Sequence, residues 1–162
     1  MALAFPWTNP AMRYRRFEHE DFEELYSIEE VCFQPPERFS RKYIEQLVRK
    51  PAAATWVAEE SSNLCGFAIV EWSKQPAGLL AYIATIEVLP EMRGRGIGAE
   101  LLRRAESSAQ AAEAGEVWLH VNVGNASAIR LYEAHGYRNV GEAERYYPRG
   151  ETAKIYRKHL QR

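Results

Sequence analysis

The sequence predicts one α/β (α+β) domain built on a mixed central β-sheet of about seven strands flanked by about four helices. Three observations predict it. Residues 55–89 hold three β-rich segments separated by turn residues, and residues 79–135 read strand, helix, strand, helix. The chain then ends in two more β-rich segments around Pro148-Arg149-Gly150. At 162 residues it has the length of one ordinary domain, enough to bury a core without disulfides or metal.

The elements follow in order. Residues 12–17 alternate as a first strand, and residues 18–32 carry Phe22, Leu25, Tyr26, Ile28 and Val31 at helical spacing. Gln34-Pro35-Pro36 breaks that helix, leaving residues 33–39 as an ordered loop. Ser40 suits the N-cap of a short second helix bearing Ile44, Leu47 and Val48, which stops before Pro51. Residues 55–59, 65–73 and 79–89 are rich in β-formers, with Ser61-Ser62-Asn63 and Gln75-Pro76-Ala77-Gly78 as turns, so an antiparallel meander is expected.

Residues 96–114 place Ile97, Leu101, Leu102 and Ala105 on one helical face. Residues 117–123 alternate as a strand, and residues 126–135 are helical again, which implies parallel crossovers in the middle of the sheet. Residues 137–147 and 152–159 form a closing hairpin.

Composition narrows the classes of function. The chain is 46% hydrophobic and 27% charged, the balance of a soluble globular protein. Its 21 basic and 22 acidic side chains give no electrostatic footprint for direct nucleic-acid binding. Cys32 and Cys65 lie far apart with no CxxC partner, which argues against a metal cluster or disulfide framework and for a reducing, cytoplasmic compartment. No apolar run approaches the roughly 18 residues of a membrane span. Residues 1–11 lack the basic and apolar regions of a secretory signal and read as a flexible N-terminal leader to a domain over 12–162.

The strongest chemical signal is Arg93-Gly94-Arg95-Gly96-Ile97-Gly98-Ala99, between a strand and the best-defined helix. Glycines there expose backbone N–H groups at a helix N-terminus, and the arginines add charge, so a pyrophosphate is the natural ligand. A Walker turn is excluded because no Lys-Ser or Lys-Thr follows the last glycine. Gly94, Gly96 and Ala99 formally match a dinucleotide fingerprint, but only about sixty residues remain for its βαβ units. A glycine-rich turn with a purely geometric role is the third reading.

The stretch also resembles the acetyl-CoA motif of the GNAT acetyltransferases: Arg or Gln, two residues, Gly, one residue, then Gly or Ala, here Arg93, Gly96 and Gly98. The resemblance implies the GNAT fold and acetyl-CoA as cosubstrate, without metal. It places the pyrophosphate on Arg93, Gly94, Arg95, Gly96, Ile97 and Gly98, and the pantetheine arm on a bulged strand at Ile86, Glu87 and Val88.

Residues 117–133 extend the resemblance to N-terminal acetyltransferases. Alternation puts Val117, Leu119, Val121 and Val123 on one strand face, with Trp118, His120 and Asn122 together on the other. On its own, His120 reads as a polar residue on a half-exposed strand. In the eukaryotic and archaeal catalytic subunits, a histidine here and a tyrosine in the motif strand, here Tyr82, orient a water that takes the amine proton. Asn125 suits an N-cap and by resemblance touches CoA. Tyr132 reads as core packing by itself, whereas the family's tyrosine at this place protonates the leaving thiolate.

Tyr146-Tyr147 resembles the paired-tyrosine hairpin that grips the substrate's first residues, and the first loop, with Phe33 and Pro35, lines the same pocket in the family. These features imply acetylation of the N-terminal α-amine of a protein or peptide. An α-amine with a pKa of about 7.8 is partly deprotonated at neutral pH, whereas lysine at about 10.4 is not, so a weak base serves the former. The expected oxyanion donor is the backbone N–H of Val88.

The closest likeness is to RimI-like enzymes, with two departures. Bacterial RimI proteins, which modify the alanine N-terminus of a ribosomal protein, generally carry glutamate where His120 stands, and tryptophan after proline in the first loop. A ribosomal protein is therefore one candidate acceptor among others. The alternatives are a GNAT acyltransferase for a small amine or lysine side chain, and a non-catalytic acyl-CoA sensor. The expected assembly is a monomer or homodimer.

Overall fold

The computed structural model describes residues 12–161, so the expected leader over 1–11 lies outside the described residues. Seven strands form one sheet: β1 (Met12–Arg16), β2 (Ala53–Glu60), β3 (Asn63–Gln75), β4 (Gly78–Val88), β5 (Glu116–Asn122), β6 (Arg138–Ala143) and β7 (Ala153–His159). Four α-helices flank it: α1 (Phe22–Cys32), α2 (Arg41–Arg49), α3 (Ile97–Ala111) and α4 (Ala126–Ala134). Strand and helix numbers match the expectation.

The sheet runs β1-β2-β3-β4-β5-β7-β6. The meander β2-β3-β4 is antiparallel, as its turns predict. Only β4 and β5 are parallel, joined through α3. The last strand folds back between β5 and β6, so β7 pairs antiparallel with both. Periodicity predicts the hairpin but carries no signal for this insertion, which depends on the free edge of β5.

Alternation along the strands splits the core between two faces. Val57, Phe67 and Ile69 pack against Leu25, Tyr26 and Ile28 of α1 and Ile44 and Leu47 of α2. Val70, Ala81, Val117, Leu119 and Val121 pack against Leu102, Ala105 and Ala109 of α3 and Tyr132 of α4. The expected core role of Val31 fails, since it is 53% exposed. Glu29 takes the inward position, at the i, i+3, i+4, i+7 spacing set by Phe22, Leu25 and Tyr26. Val123 likewise falls just past the end of β5 and is exposed.

Both expected caps form. Ser40 accepts the N–H of Tyr43 at the start of α2, and Asn125 accepts that of Ala128 at the start of α4. The end of α4 is fixed through Tyr137, whose hydroxyl donates to the buried Glu106 at 2.7 Å while Lys158 donates to the same carboxylate at 3.1 Å. That network ties α3, α4 and β7 together and braces the Tyr132 ring, which meets Tyr137 edge-on at 5.6 Å.

Candidate active site

The site begins where β4 leaves β5. The two strands pair only over 80–82 and 116–118, and β4 carries an extra residue, Ala84, where its register with β3 shifts. Beyond that point β4 and β5 diverge and leave a slot. Leu89 donates to the Cys65 carbonyl at 2.9 Å with Gly66 opposite Val88, which fixes the alternation of the ladder. The backbone groups of Ile86 and Val88 therefore face away from β3, towards the slot. Glu87 turns its backbone groups to β3 instead, so only its side chain can contribute. A Cβ at Gly66 would stand 2.8 Å from the Glu87 carbonyl, so this approach of β3 to β4 needs glycine.

After β4, a short 3₁₀ turn (Pro90–Met92) leads into the glycine turn. Gly94 and Gly96 have φ of 79° and 81°, left-handed values that glycine adopts without steric cost. The amides of Gly94, Arg95 and Gly96 have no backbone partner among the described residues, and those of Ile97 and Gly98 open α3. This fan of donors at a helix N-terminus fits a pyrophosphate. A cleft of about 410 Å³ joins it to the slot. The cleft is lined by Ile86, Glu87, Val88, Arg93, Gly94, Gly96, Ile97 and Gly98, by Asn125 and Tyr132 from the α4 side, and by Phe33 from the first loop.

Two arginines divide their work. Arg93 lines the cleft, its Nε donating to the Val88 carbonyl at 3.0 Å. The Arg95 side chain, expected beside it, pairs instead with Glu60 at 2.8 Å and stays outside the lining, leaving only its backbone N–H to the turn.

Tyr82 and His120 form a second cluster. The Tyr82 hydroxyl lies 2.8 Å from His120 Nδ1, and Trp118 packs on both rings, at 4.6 Å from Tyr82 and 5.0 Å from His120. Tyr146 stacks on His120 at 4.1 Å and 13°, and Tyr147 meets Tyr146 edge-on at 4.9 Å. The two tyrosines lie in the connection between β6 and β7 rather than within a strand. Burial lowers the His120 pKa, so the imidazole is neutral at pH 7. Burial, then the Tyr146 hydroxyl, raises that of Tyr82, which stays protonated.

Tyr132 connects the two clusters. It is 8% exposed and opens onto the cleft from α4. Burial and the neighbouring Tyr147 push its pKa up, so at neutral pH it holds a proton it can give. The first loop and the tyrosine loop are bridged by Arg149, which pairs with Glu37 at 2.8 Å and donates to the Pro35 carbonyl at 3.4 Å. Arg38 and Tyr26 brace the first loop from below, donating to the carbonyls of Phe33 and Phe39 at 2.9 Å.

Sequence reasoning missed Trp118 as a packing partner, the Arg149 bridge, and the buried pair Glu29 and Glu87. An acid at the inward position of α1 was the available signal for that pair. Among the described residues, no group of three or more His, Cys, Asp or Glu side chains could hold a metal ion. No helix among them is long and apolar enough to cross a membrane.

The chain resembles known proteins in sequence and in fold. A model of the acetyltransferase (GNAT) family matches residues 19–137. An N-alpha-acetyltransferase of Sulfurisphaera tokodaii is 29% identical over 152 residues, covering 88% of this chain and 90% of its own. The N-alpha-acetyltransferase RimI of Mycobacterium tuberculosis is 32% identical over 113 residues, covering 70% and 66%. Among solved structures, Chaetomium thermophilum Naa20 in complex with a bisubstrate analogue superimposes with a TM-score of 0.79 at 27% identity, covering 91% of this chain and 86% of that one.

Proposed function

The chain belongs to the acetyltransferase (GNAT) family, and from that membership we propose that it carries acetyl from acetyl-CoA to the N-terminal α-amine of a protein or peptide. One observation carries the reading: a hydrogen-bonded Tyr82–His120 pair where β4 and β5 part, covered by Tyr146. Acetyl-CoA supplies an acetyl group already activated as a thioester, so the chain's residues need only position the amine and move two protons.

The tautomer of His120 decides its role. With Nδ1–H donating to the Tyr82 oxygen, Nε2 keeps its lone pair and takes the amine proton through a water. Its lowered pKa keeps that lone pair free at neutral pH. The Val88 N–H, turned away from β3, meets the oxyanion that develops on the thioester carbonyl oxygen as the amine attacks. Tyr132 then gives its proton to the leaving thiolate. No covalent enzyme intermediate is required, since amine and thioester are held together.

Phe33, Pro35, Tyr146 and Tyr147 form the acceptor's rim, held closed by Arg149 and Glu37. Every group in this scheme comes from one chain, so a monomer suffices and a homodimer is compatible. The two free thiols agree with a cytoplasmic setting.

Acetyl transfer to free-N-terminal peptides varied at the first residue, alongside polyamines and N-terminally blocked lysine peptides, tests the proposal. Transfer confined to free α-amines supports it and reveals the preferred first residue. Transfer to polyamines or blocked lysine peptides at equal or higher efficiency overturns it, and so does tight acetyl-CoA binding without any transfer.

A further inference from the structure

Glu29 and Glu87 are 0% and 3% exposed, and neither has a part in the proton transfers above. Glu29 takes an inward position in the last turns of α1, and Glu87, on β4, stands in the wall of the cleft. Their carboxyl groups meet within hydrogen-bond reach. Thr85 donates to Glu87 Oε2 at 2.8 Å, while Glu87 Oε1 and both oxygens of Glu29 have no donor among the described side chains. Two carboxylates cannot hydrogen-bond each other, since neither can donate. One proton between them turns the contact into a charge-assisted hydrogen bond and removes the like-charge repulsion.

We propose that Glu29 and Glu87 are a positioning pair that shares one proton and thereby holds the cofactor-binding edge of β4 against the end of α1. The inference rests on the cleft being the acetyl-CoA site. The same junction carries Cys32, whose Sγ reaches the Val88 carbonyl at 3.6 Å, and Arg93, which donates to that carbonyl. Separation of α1 from β4 would therefore displace the backbone of Val88 and the start of the phosphate turn together.

The groups facing the pair leave it with its proton at neutral pH. Arg38 from the first loop and the backbone of Phe39 face Glu29, and Arg93 and Cys32 face Glu87. Burial nevertheless dominates, raising Glu29 to about 7 and Glu87 well above its ordinary value. Both carboxyls bind protons more tightly folded than unfolded. The stability this gives is full below the unfolded carboxyl range and is lost as pH rises through about 7 and beyond. The Cys32 thiol is pushed up to about 11 and so does not titrate across that window.

The test is calorimetric titration of wild type and Glu29→Gln with acetyl-CoA, whose sulfur carries no proton, from about pH 7 to about pH 9.5. A glutamine amide donates to Glu87 at every pH, so it stands in for the protonated acid permanently. Wild type is expected to lose about tenfold in affinity across the range, and Glu29→Gln less than about twofold. Parallel curves for the two proteins overturn the pair's role, whereas absence of binding by wild type at any pH overturns the cleft assignment beneath it. Should Glu29→Gln bind poorly throughout, the thermal midpoint decides: a fall with pH in wild type but not in the variant supports the shared proton, and equal slopes overturn it.

Discussion

The hydroxyl of Tyr82 and Nδ1 of His120 meet at 2.8 Å where β4 and β5 part, Tyr82 in their last pair and His120 two residues beyond it. Neither side chain could hold the other in place alone. Tyr82 is fixed by its strand and by Trp118, and His120 is fixed between Trp118 and the stacked Tyr146. In the proposed mechanism this contact orients the imidazole so that its second nitrogen is left for the acceptor.

Loss of that second nitrogen removes general-base assistance. His120→Ala is expected to lower kcat by about a hundredfold while acetyl-CoA affinity stays within about twofold, because His120 lies outside the cofactor cleft. Steady-state kinetics with a saturating peptide, together with a direct acetyl-CoA titration, check both halves. An equal loss in affinity and rate would point to a structural role.

The pH profile carries a sign. Burial lowers the His120 pKa, so the base is already competent below its ordinary value near 6.5. The acid limb of kcat is expected below about pH 6.5, whereas that of kcat/KM for the peptide follows the free α-amine at about 7.8. Rate measurements from about pH 5 to about pH 8.5 on wild type and His120→Ala check this, and the kcat limb should vanish in the variant.

Gly96 tests the cradle. Its φ of 81° is left-handed, and a Cβ there would meet nothing within 4 Å, so alanine adds backbone strain without a clash. Gly96→Ala is expected to cost about 1 kcal/mol of stability and to raise KM for acetyl-CoA more than KM for the peptide. Chemical denaturation and two-substrate kinetics measure the two effects.

The bridge from Arg149 to Glu37 and Pro35 joins the first loop to the β6–β7 connection, the two loops proposed to rim the acceptor. Arg149 is 61% exposed in its side chain, so the ion pair is screened by solvent and contributes about 0.2–1 kcal/mol. Glu37→Ala should raise KM for the peptide by a few-fold at low salt, leave kcat nearly unchanged, and resemble wild type at high salt. Peptide kinetics across ionic strength read this out.

Tyr137 tests the brace behind Tyr132. Its hydroxyl supplies the 2.7 Å bond to the buried Glu106. Tyr137→Phe leaves that carboxylate with Lys158 and is expected to lose about 1–3 kcal/mol of stability by denaturant unfolding.

Much of this was legible in the sequence, for reasons tied to particular residues. The strand-turn-helix around Arg93 to Gly98 and the alternation of Trp118, His120 and Asn122 are local patterns, and the structure forms both. The caps Ser40 and Asn125 were legible because a side-chain acceptor two or three residues before a free N–H is a local event. What was not legible depends on tertiary contact. The place of β7 between β5 and β6, the turning of Arg95 to Glu60 and the approach of Glu29 to Glu87 each join distant segments. Val31 misled because it stands three residues after the buried Ile28, although the helical phase set by Phe22, Leu25 and Tyr26 turns it to solvent.

The most direct test of the central claim uses one peptide bearing both a free α-amine and one free lysine. After incubation with enzyme and acetyl-CoA, tandem mass spectrometry locates the added acetyl group. Acetylation at the α-amine alone, strongly reduced in His120→Ala and Tyr132→Phe, is the predicted result. Acetylation of the lysine in preference to the α-amine would contradict the account.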